Sequence, residues 1–258
     1  MSPTPKQAIS CNCVTAQEPG SNDSQTTQPA RRRFMGLTLA AAAAGGMGLN
    51  AAPALAARPN LLHPLPSNTP DQAVAKLMAG NARYLQLKHS TSPRDFELLR
   101  SQAVEGQAPF AAILACSDSR VPVELLFDQS IGNLFVVRVA GNVASSAVIG
   151  SLEYAVEALK VKTLMVLGHS QCGAVKAAIE NKDVPGQVTT LYSYMHAAIA
   201  KTPSKDYQAV VAQNAIEQAR VLSTASPVIS HRIKTGELRV QPATYDIGIG
   251  KVALLDLA

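Results

Sequence analysis

The sequence predicts an α/β protein with a mostly parallel central β-sheet flanked by helices. Three runs of strand length consist almost entirely of apolar residues, which is typical of strands buried on both faces of a parallel sheet. Helical patterns separate and follow these runs, as expected when parallel strands alternate with helices. Residues 57–258 show no internal repeat and no break in composition, so we expect them to form a single domain.

The first helix is predicted to begin at Thr69-Pro70-Asp71, where a capping residue precedes proline at the first helical position and an acid in the first turn. Apolar residues then recur at helical spacing, at Ala73, Leu77, Ala82 and Leu85. The three predicted strands are 110–115, 134–139 and 163–167, with a helix over about 147–159 between the second and the third.

Helices are predicted at about 174–181, 188–200 and 206–223. Ser226-Pro227 is typical of another helix start, and that helix is expected to stop at Gly236. The C-terminal residues 237–245 and 251–255 enclose Asp246-Ile247-Gly248-Ile249-Gly250, a pattern that indicates strand, turn and strand.

The N-terminal 56 residues are predicted to be a signal peptide with a disordered extension. Residues 1–30 are rich in Ser, Thr, Gln, Asn and Pro, and Arg31-Arg32-Arg33-Phe34 then precedes an Ala/Gly/Leu-rich stretch that ends in Ala54-Leu55-Ala56. A basic region, an apolar region and a small-residue site are typical of export signals, and the paired arginines resemble the twin-arginine type. We therefore expect the twin-arginine translocase as a partner during export, cleavage after Ala56 and a periplasmic mature chain.

A retained membrane anchor is the alternative for this segment. The stretch from Phe34 to Ala57 holds 24 uncharged residues, enough to span a bilayer, but it is only weakly hydrophobic, which favours cleavage. The net charge of +5 divides into +2 for residues 1–57 and +3 for the remainder, where lysines and arginines are interspersed with acids. A nucleic-acid partner is therefore not indicated.

Chemically unusual residues follow two of the predicted strands. The first strand ends in Cys116-Ser117-Asp118-Ser119-Arg120, and the third ends in Gly168-His169-Ser170-Gln171-Cys172-Gly173. Ligands of open parallel sheets bind at the carboxyl ends of strands, so these residues are expected at one edge. Two thiolates, an imidazole and a carboxylate form a zinc ligand set.

Each of these residues also has a simpler interpretation. Cys116 and Cys172 remain after removal of the leader, which contains Cys11 and Cys13, and in an oxidising compartment they could form a disulfide or fill the core. His169 could be a hydrogen-bonded core histidine. Asp118 and Arg120 could form a plain ion pair or cap a helix. Their joint occurrence at strand ends favours the metal site.

The pattern Cys116-x-Asp118-x-Arg120 followed by His169-x-x-Cys172-Gly173 resembles the β-class carbonic anhydrases. The resemblance extends over nearly the whole mature chain, including Gly80-Asn81-Ala82-Arg83-Tyr84, Phe135-Val136-Val137-Arg138, Ala140-Gly141-Asn142 and Glu153-Tyr154-Ala155. It implies that Cys116, His169 and Cys172 hold Zn²⁺ and that the protein hydrates carbon dioxide reversibly to bicarbonate and a proton.

The resemblance also implies roles for Asp118 and Arg120. The aspartate pairs with the arginine and orients the zinc-bound water, or becomes the fourth ligand and closes the site. Some members of the family have a tryptophan three residues before the first cysteine and a glycine beside it, as part of a site where bicarbonate locks the enzyme shut. Here these positions are Ile113 and Ala115, so we expect the open arrangement with Asp118 off the metal.

Further positions match residues that bind substrate in that family. Gln107 lies nine residues before Cys116, where an amide helps to bind carbon dioxide or bicarbonate, and could otherwise be a surface-loop residue. Phe135 and Tyr154 match residues that line a narrow pocket, although ordinary core packing also explains them. Gly173 is the fourth residue predicted to bind substrate. Since the pocket forms between two subunits, a homodimer or a higher oligomer is implied.

Two other functions are also compatible with these residues. Some proteins of this type hydrolyse carbon disulfide or carbonyl sulfide, and a non-catalytic zinc-binding or thiol-redox protein would also need two close cysteines. The histidines at positions 63, 89, 196 and 231 are scattered, so no proton shuttle is identified.

Overall fold

The computed structural model describes residues 69–90, 100–101, 103–104 and 106–257. The predicted export signal, with its arginine motif, Cys11 and Cys13, lies outside the described residues. The boundary at residues 56 and 57 lies outside them as well, so both remain predictions.

Within the described residues, five strands form one sheet. They are β1 (Ala111–Ala115), β2 (Leu134–Arg138), β3 (Thr163–His169), β4 (Arg239–Tyr245) and β5 (Val252–Leu254). Their order across the sheet is β2-β1-β3-β4-β5, with β1 to β4 parallel and β5 antiparallel to β4. This confirms the predicted α/β class with a mostly parallel sheet and the predicted strand–turn–strand at the C-terminus.

Helices cover both faces of the sheet. In the described ranges these are α1 (Pro70–Leu85), α2 (Val123–Leu126), α3 (Ser146–Glu157), α4 (Gly173–Ile179), α5 (Tyr192–Ala200), α6 (Tyr207–Ala225) and α7 (Pro227–Lys234), together with 3₁₀ turns at Ala140–Asn142 and Val188–Leu191. The helix predicted over 188–200 is thus split into a 3₁₀ turn and α5. No helix in these ranges is long and apolar enough to cross a bilayer.

Side chains of the central strands alternate between two cores. Ala112 and Leu114 of β1 pack with α3, α6 and α7, whereas Ile113 faces the opposite core, which includes residues of α1 and α2. All five residues of β1 and all seven of β3 are buried. Burial on both faces explains why these strands show no polar alternation in the sequence.

Helix α1 begins where the sequence predicts. Thr69 and Gln72 form a reciprocal capping box, in which each side chain accepts a hydrogen bond from the other residue's backbone N–H, at 3.2 and 3.1 Å. Further along α1, a side chain at Gly80 would overlap the Phe127 carbonyl oxygen, since a Cβ there would lie 1.7 Å from it. Glycine therefore permits the close approach of α1 to the end of α2.

The parallel pairing of β1 and β3 brings the two chemically unusual segments together. Ala115 of β1 lies opposite Leu167 of β3, so Cys116 follows β1 level with Gly168, next to His169. Helix α6 packs across β3 and β4 close to this edge. The fold thus places both chemically unusual segments at one edge of the sheet.

Candidate metal centre

Three side chains converge at the carboxyl edge of the sheet. Cys116 follows β1, His169 is the last residue of β3, and Cys172 is the residue from which α4 begins. Their potential ligand atoms lie within 4.8 Å of one another, and all three residues are buried. The prediction that the strand ends meet at this edge is confirmed.

The two sulfurs are not joined. The Sγ atoms of Cys116 and Cys172 are 3.9 Å apart, whereas a disulfide requires about 2.05 Å, and both cysteines are free. Cys116 and Cys172 therefore do not form a disulfide in this structure.

His169 is held in the orientation that a metal ligand needs. Its Nδ1 lies 2.9 Å from the Ser170 carbonyl oxygen, which places the ring proton on Nδ1. Its Nε2 is buried and has no hydrogen-bond partner among the described residues. A buried nitrogen lone pair close to two thiols would be costly unless it binds something, and the donor set of two sulfurs and one imidazole fits Zn²⁺.

The two thiols of the cluster are hydrogen-bonded to each other. A hydrogen bond between them lowers the pKa of Cys116, and the backbone N–H of Gly141, 3.3 Å from its Sγ, lowers it further. The same bond, together with burial, raises the pKa of Cys172. A divalent cation that binds this pair would replace the protons of both thiols, since cysteine binds metals as the thiolate.

Asp118 and Arg120 form a bidentate ion pair beside the cluster. Arg120 donates from Nε and Nη2 to the two carboxylate oxygens, at 2.9 and 2.8 Å, and from Nη2 to the Gln171 carbonyl at 3.0 Å. These hydrogen bonds hold the pKa of Asp118 well below its usual range. Asp118 is therefore an ionised acceptor whose Oδ2 lies 4.0 Å from the His169 Nε2.

Other residues fix the backbone around the cluster. Arg138 donates to the carbonyls of Cys116 and Asp118, at 2.9 and 2.5 Å. The Tyr207 hydroxyl donates to the Cys172 carbonyl at 2.6 Å, and burial raises the pKa of Tyr207 to about 12, which keeps the hydroxyl protonated. These positioning contacts could not be predicted from the sequence, because they join residues far apart in the chain.

Comparison with known proteins identifies the family. The carbonic anhydrase family model matches residues 111–252. The carbonic anhydrase of Mycolicibacterium smegmatis is 36% identical over 197 residues, which is 74% of this chain and 95% of that protein. Carbonic anhydrase 2 of Mycobacterium tuberculosis is 36% identical over 201 residues, or 74% and 96% of the two chains.

Among solved structures, a tetrameric β-carbonic anhydrase from Sordaria macrospora matches with a TM-score of 0.57 and 28% identity, over 64% of this chain and 87% of that one. The chain belongs to the β-class carbonic anhydrase family. A β-carbonic anhydrase from Coccomyxa, solved in complex with acetazolamide, matches with a TM-score of 0.56 and 29% identity over 63% and 78% of the chains.

Two predicted substrate-binding residues of this carbonic anhydrase lie away from the cysteines of the same chain. Phe135 on β2 is level with Ala112, four residues before Cys116, or about 13 Å along the strand. It packs against Tyr154 with ring centroids 6.1 Å apart, and Tyr154 is 52% exposed. Their assignment to the pocket remains a prediction, and it would require a second subunit.

The other two predicted residues are exposed. Gln107 precedes β1 in an exposed segment. Gly173 begins α4 beside Cys172, and a Cβ there would meet no atom within 4 Å, so packing within one subunit does not require glycine. With Gln171 and Tyr207 it lines a cleft of about 520 Å³ next to the candidate metal centre. Their roles in binding substrate remain predictions.

Proposed function

We propose that this protein is a zinc-dependent carbonic anhydrase that converts carbon dioxide and water reversibly to bicarbonate and a proton. The observation that carries the proposal is the buried cluster of Cys116, His169 and Cys172 with the Asp118–Arg120 pair beside it. Membership of the carbonic anhydrase family supports this reaction, and the cluster supplies the three ligand atoms that a catalytic zinc ion needs.

Cys116, His169 and Cys172 would hold the metal. Two thiolates and a neutral imidazole balance the charge of Zn²⁺, and three protein ligands leave one coordination position for a reactant, as in catalytic zinc sites. When bound, zinc supplies the Lewis acidity that ionises water near neutral pH. Burial of all three ligands excludes bulk water from the far side of the site.

Asp118 would orient the reacting oxygen. Because Arg120 keeps its carboxylate ionised, Asp118 accepts hydrogen bonds but cannot donate one. An O–H group beside it must therefore point its proton at Asp118, which turns an oxygen lone pair toward carbon dioxide. Both carboxylate oxygens engage Arg120, which supports the proposed open arrangement with Asp118 off the metal.

Metal analysis and stopped-flow hydration of carbon dioxide on the purified mature chain test the proposal. We expect about one zinc per chain and rapid hydration. Hydrolysis of carbonyl sulfide or carbon disulfide without hydration of carbon dioxide would replace the proposed substrate. A metal-free protein with a disulfide between Cys116 and Cys172 would instead favour a thiol-redox protein.

The substrate pocket is proposed to be completed by a second copy of this chain. Strand β2 is an edge strand whose apolar residues Leu134 to Val137 are only partly buried in the single subunit. A partly exposed apolar edge strand of this kind is a surface on which another chain can pack, so we expect it to be covered in the assembled protein. A homodimer or higher oligomer over β2 would also bring Phe135 and Tyr154 toward a partner's site.

We propose that the protein is exported through the twin-arginine pathway. Replacing the three arginines, Arg31→Lys, Arg32→Lys and Arg33→Lys together, should leave unprocessed precursor inside the cell, because that pathway recognises the guanidinium pair. Immunoblots of periplasmic and cytoplasmic fractions give the measurement, with Lys6→Gln as the control that should export normally. Mature triple variant in the periplasm would contradict the proposed route while leaving the enzyme assignment intact.

The pH profile tests whether the site is open. A carboxylate with a lowered pKa loses its charge only when the pH falls below that pKa, so Asp118 stays ionised throughout the neutral range. The initial hydration rate should therefore rise with pH through a single ionisation, that of the water activated by zinc. Steady-state rates between about pH 6 and 9 measure this. A steep, cooperative loss of activity below about pH 8 would show instead that Asp118 closes the site.

A further inference from the structure

One face of α6 contacts the segments around all three predicted metal ligands. The residues of this face recur at helical spacing, at Tyr207, Val211, Asn214 and Gln218. Tyr207 donates to the Cys172 carbonyl. The Val211 carbonyl lies against Gly168, the residue before His169, since a Cβ on that glycine would be 3.2 Å from the Val211 oxygen.

The third contact reaches the sulfur of Cys116 through a turn of the backbone. The Asn214 side chain is buried, with 1% of its surface exposed, and its Nδ2 donates to the Gly141 carbonyl at 2.9 Å. The backbone N–H of the same glycine donates to the Cys116 Sγ at 3.3 Å. Asn214 therefore holds the residue that supplies a hydrogen bond to this sulfur.

The turn depends on a backbone conformation that needs support. Gly141 has φ 74° and ψ 13°, in the left-handed region, and a Cβ there would lie 3.2 Å from the Met195 Cε. Its buried carbonyl has Asn214 as its side-chain partner. Without that donor the carbonyl would lose this side-chain hydrogen bond, and the observed conformation of the turn would become less stable.

The Asn214 amide is itself fixed in orientation. Gln218, one turn further along α6, donates from Nε2 to the Asn214 Oδ1 at 3.1 Å. The Gln218 Oε1 accepts from the backbone N–H of Ala144 at 2.8 Å. Because the Oδ1 of Asn214 is occupied in this way, its Nδ2 must face Gly141.

We propose that Asn214 is a positioning residue of the metal centre, which through Gly141 holds an N–H donor on the Cys116 thiolate and so sets how that sulfur binds zinc. This inference rests on the proposed function, because it assumes that the cluster binds zinc. An N–H···S bond stabilises the lone pairs of a thiolate and fixes their direction, so that the sulfur is already oriented to bind the metal. Outer partners of this kind typically change metal affinity by about 10- to 100-fold.

The test uses the mature protein with Asn214→Leu, which keeps the size of the side chain and removes the amide. We expect the zinc dissociation constant, measured by competition with a chelator, to rise about 10-fold. In the cobalt-substituted protein, the sulfur-to-cobalt charge-transfer band should move to longer wavelength, because the sulfur electrons lose the stabilising hydrogen bond. Asn214→Ala removes the same donor without adding apolar atoms and serves if the leucine variant fails to fold.

Gln241→Met is the matched control. Gln241 is also buried, and its Nε2 donates to the carbonyls of Pro242 and Leu255, at 2.8 and 2.7 Å. It lies level with Met165, four residues before His169 along the sheet. Its loss should lower the melting temperature but leave zinc affinity and the cobalt band unchanged.

The two proposals can fail separately. If the parent protein binds no zinc, the proposed function fails, whatever the variants do. If the parent binds zinc and the Asn214 variants keep its affinity and its cobalt band, the positioning role of Asn214 is wrong. Equal changes in the Gln241→Met protein would likewise overturn that role, because they would show that metal binding follows general stability.

Discussion

His169→Ala should abolish both zinc binding and carbon dioxide hydration. The imidazole is the single nitrogen donor in the cluster, and the two thiols that remain offer only two ligand atoms. Catalytic zinc sites in proteins use three protein ligands, so the metal would be held too weakly to survive purification. Without the metal, water keeps its high pKa, and we expect the hydration rate to fall by at least about 10³-fold.

Metal content measured together with stopped-flow rates checks this expectation. His196→Ala is the control, because His196 is exposed on α5 and is not among the clustered ligands. It should retain about one zinc per chain and the parent's rate. A His169→Ala protein that keeps tightly bound stoichiometric zinc would contradict the ligand assignment, even if it were inactive.

The cluster of Cys116, His169 and Cys172 could be predicted from sequence because its residues follow the ends of strands. β1 and β3 are buried on both faces, so their sequences are apolar without alternation and their ends are easy to locate. Parallel strands end at the same edge of the sheet, which brings Cys116 close to His169 and Cys172. No knowledge of strand order was needed beyond the pairing of these two strands.

The position of strand β2 at the edge of the sheet could not be predicted from its sequence. Its apolar run predicts a strand buried on both faces, yet β2 lies at the edge of the sheet and its residues are only partly buried in the single chain. Local sequence cannot reveal strand order, since that order depends on how the helices cross the sheet. Consequently Phe135 could be matched to a pocket-lining position but could not be placed relative to Cys116.

The hydrogen bonds that support the site could not be predicted from the sequence either. Asn214 lies 73 positions from Gly141, and Tyr207 lies 35 positions from Cys172. One signal was present: Asn214 is a polar residue between Val211 and Ala215 on the buried face of α6. A buried amide in an apolar stripe needs partners, but the sequence does not identify them.

Asp118→Asn should reduce the hydration rate by about 10²-fold or more while zinc remains bound. The substitution keeps the shape of the side chain and touches none of the three clustered ligands. It replaces an ionised acceptor with an amide whose NH₂ group donates, so the adjacent O–H no longer has one preferred direction. The amide also weakens the bidentate pair with Arg120, because an asparagine has one oxygen that can accept from the guanidinium. With that oxygen bonded to Arg120, the NH₂ group would point toward the reacting oxygen.

Rate and metal content must be measured on the same preparation of Asp118→Asn to separate orientation from metal loss. We expect the loss in kcat, with about one zinc per chain. Asp183→Asn removes an exposed carboxylate outside the cluster and should leave both quantities unchanged. An Asp118→Asn enzyme with nearly full activity would remove Asp118 from the mechanism. Loss of zinc together with activity would mean instead that Asp118 helps to hold the metal, which contradicts the open arrangement.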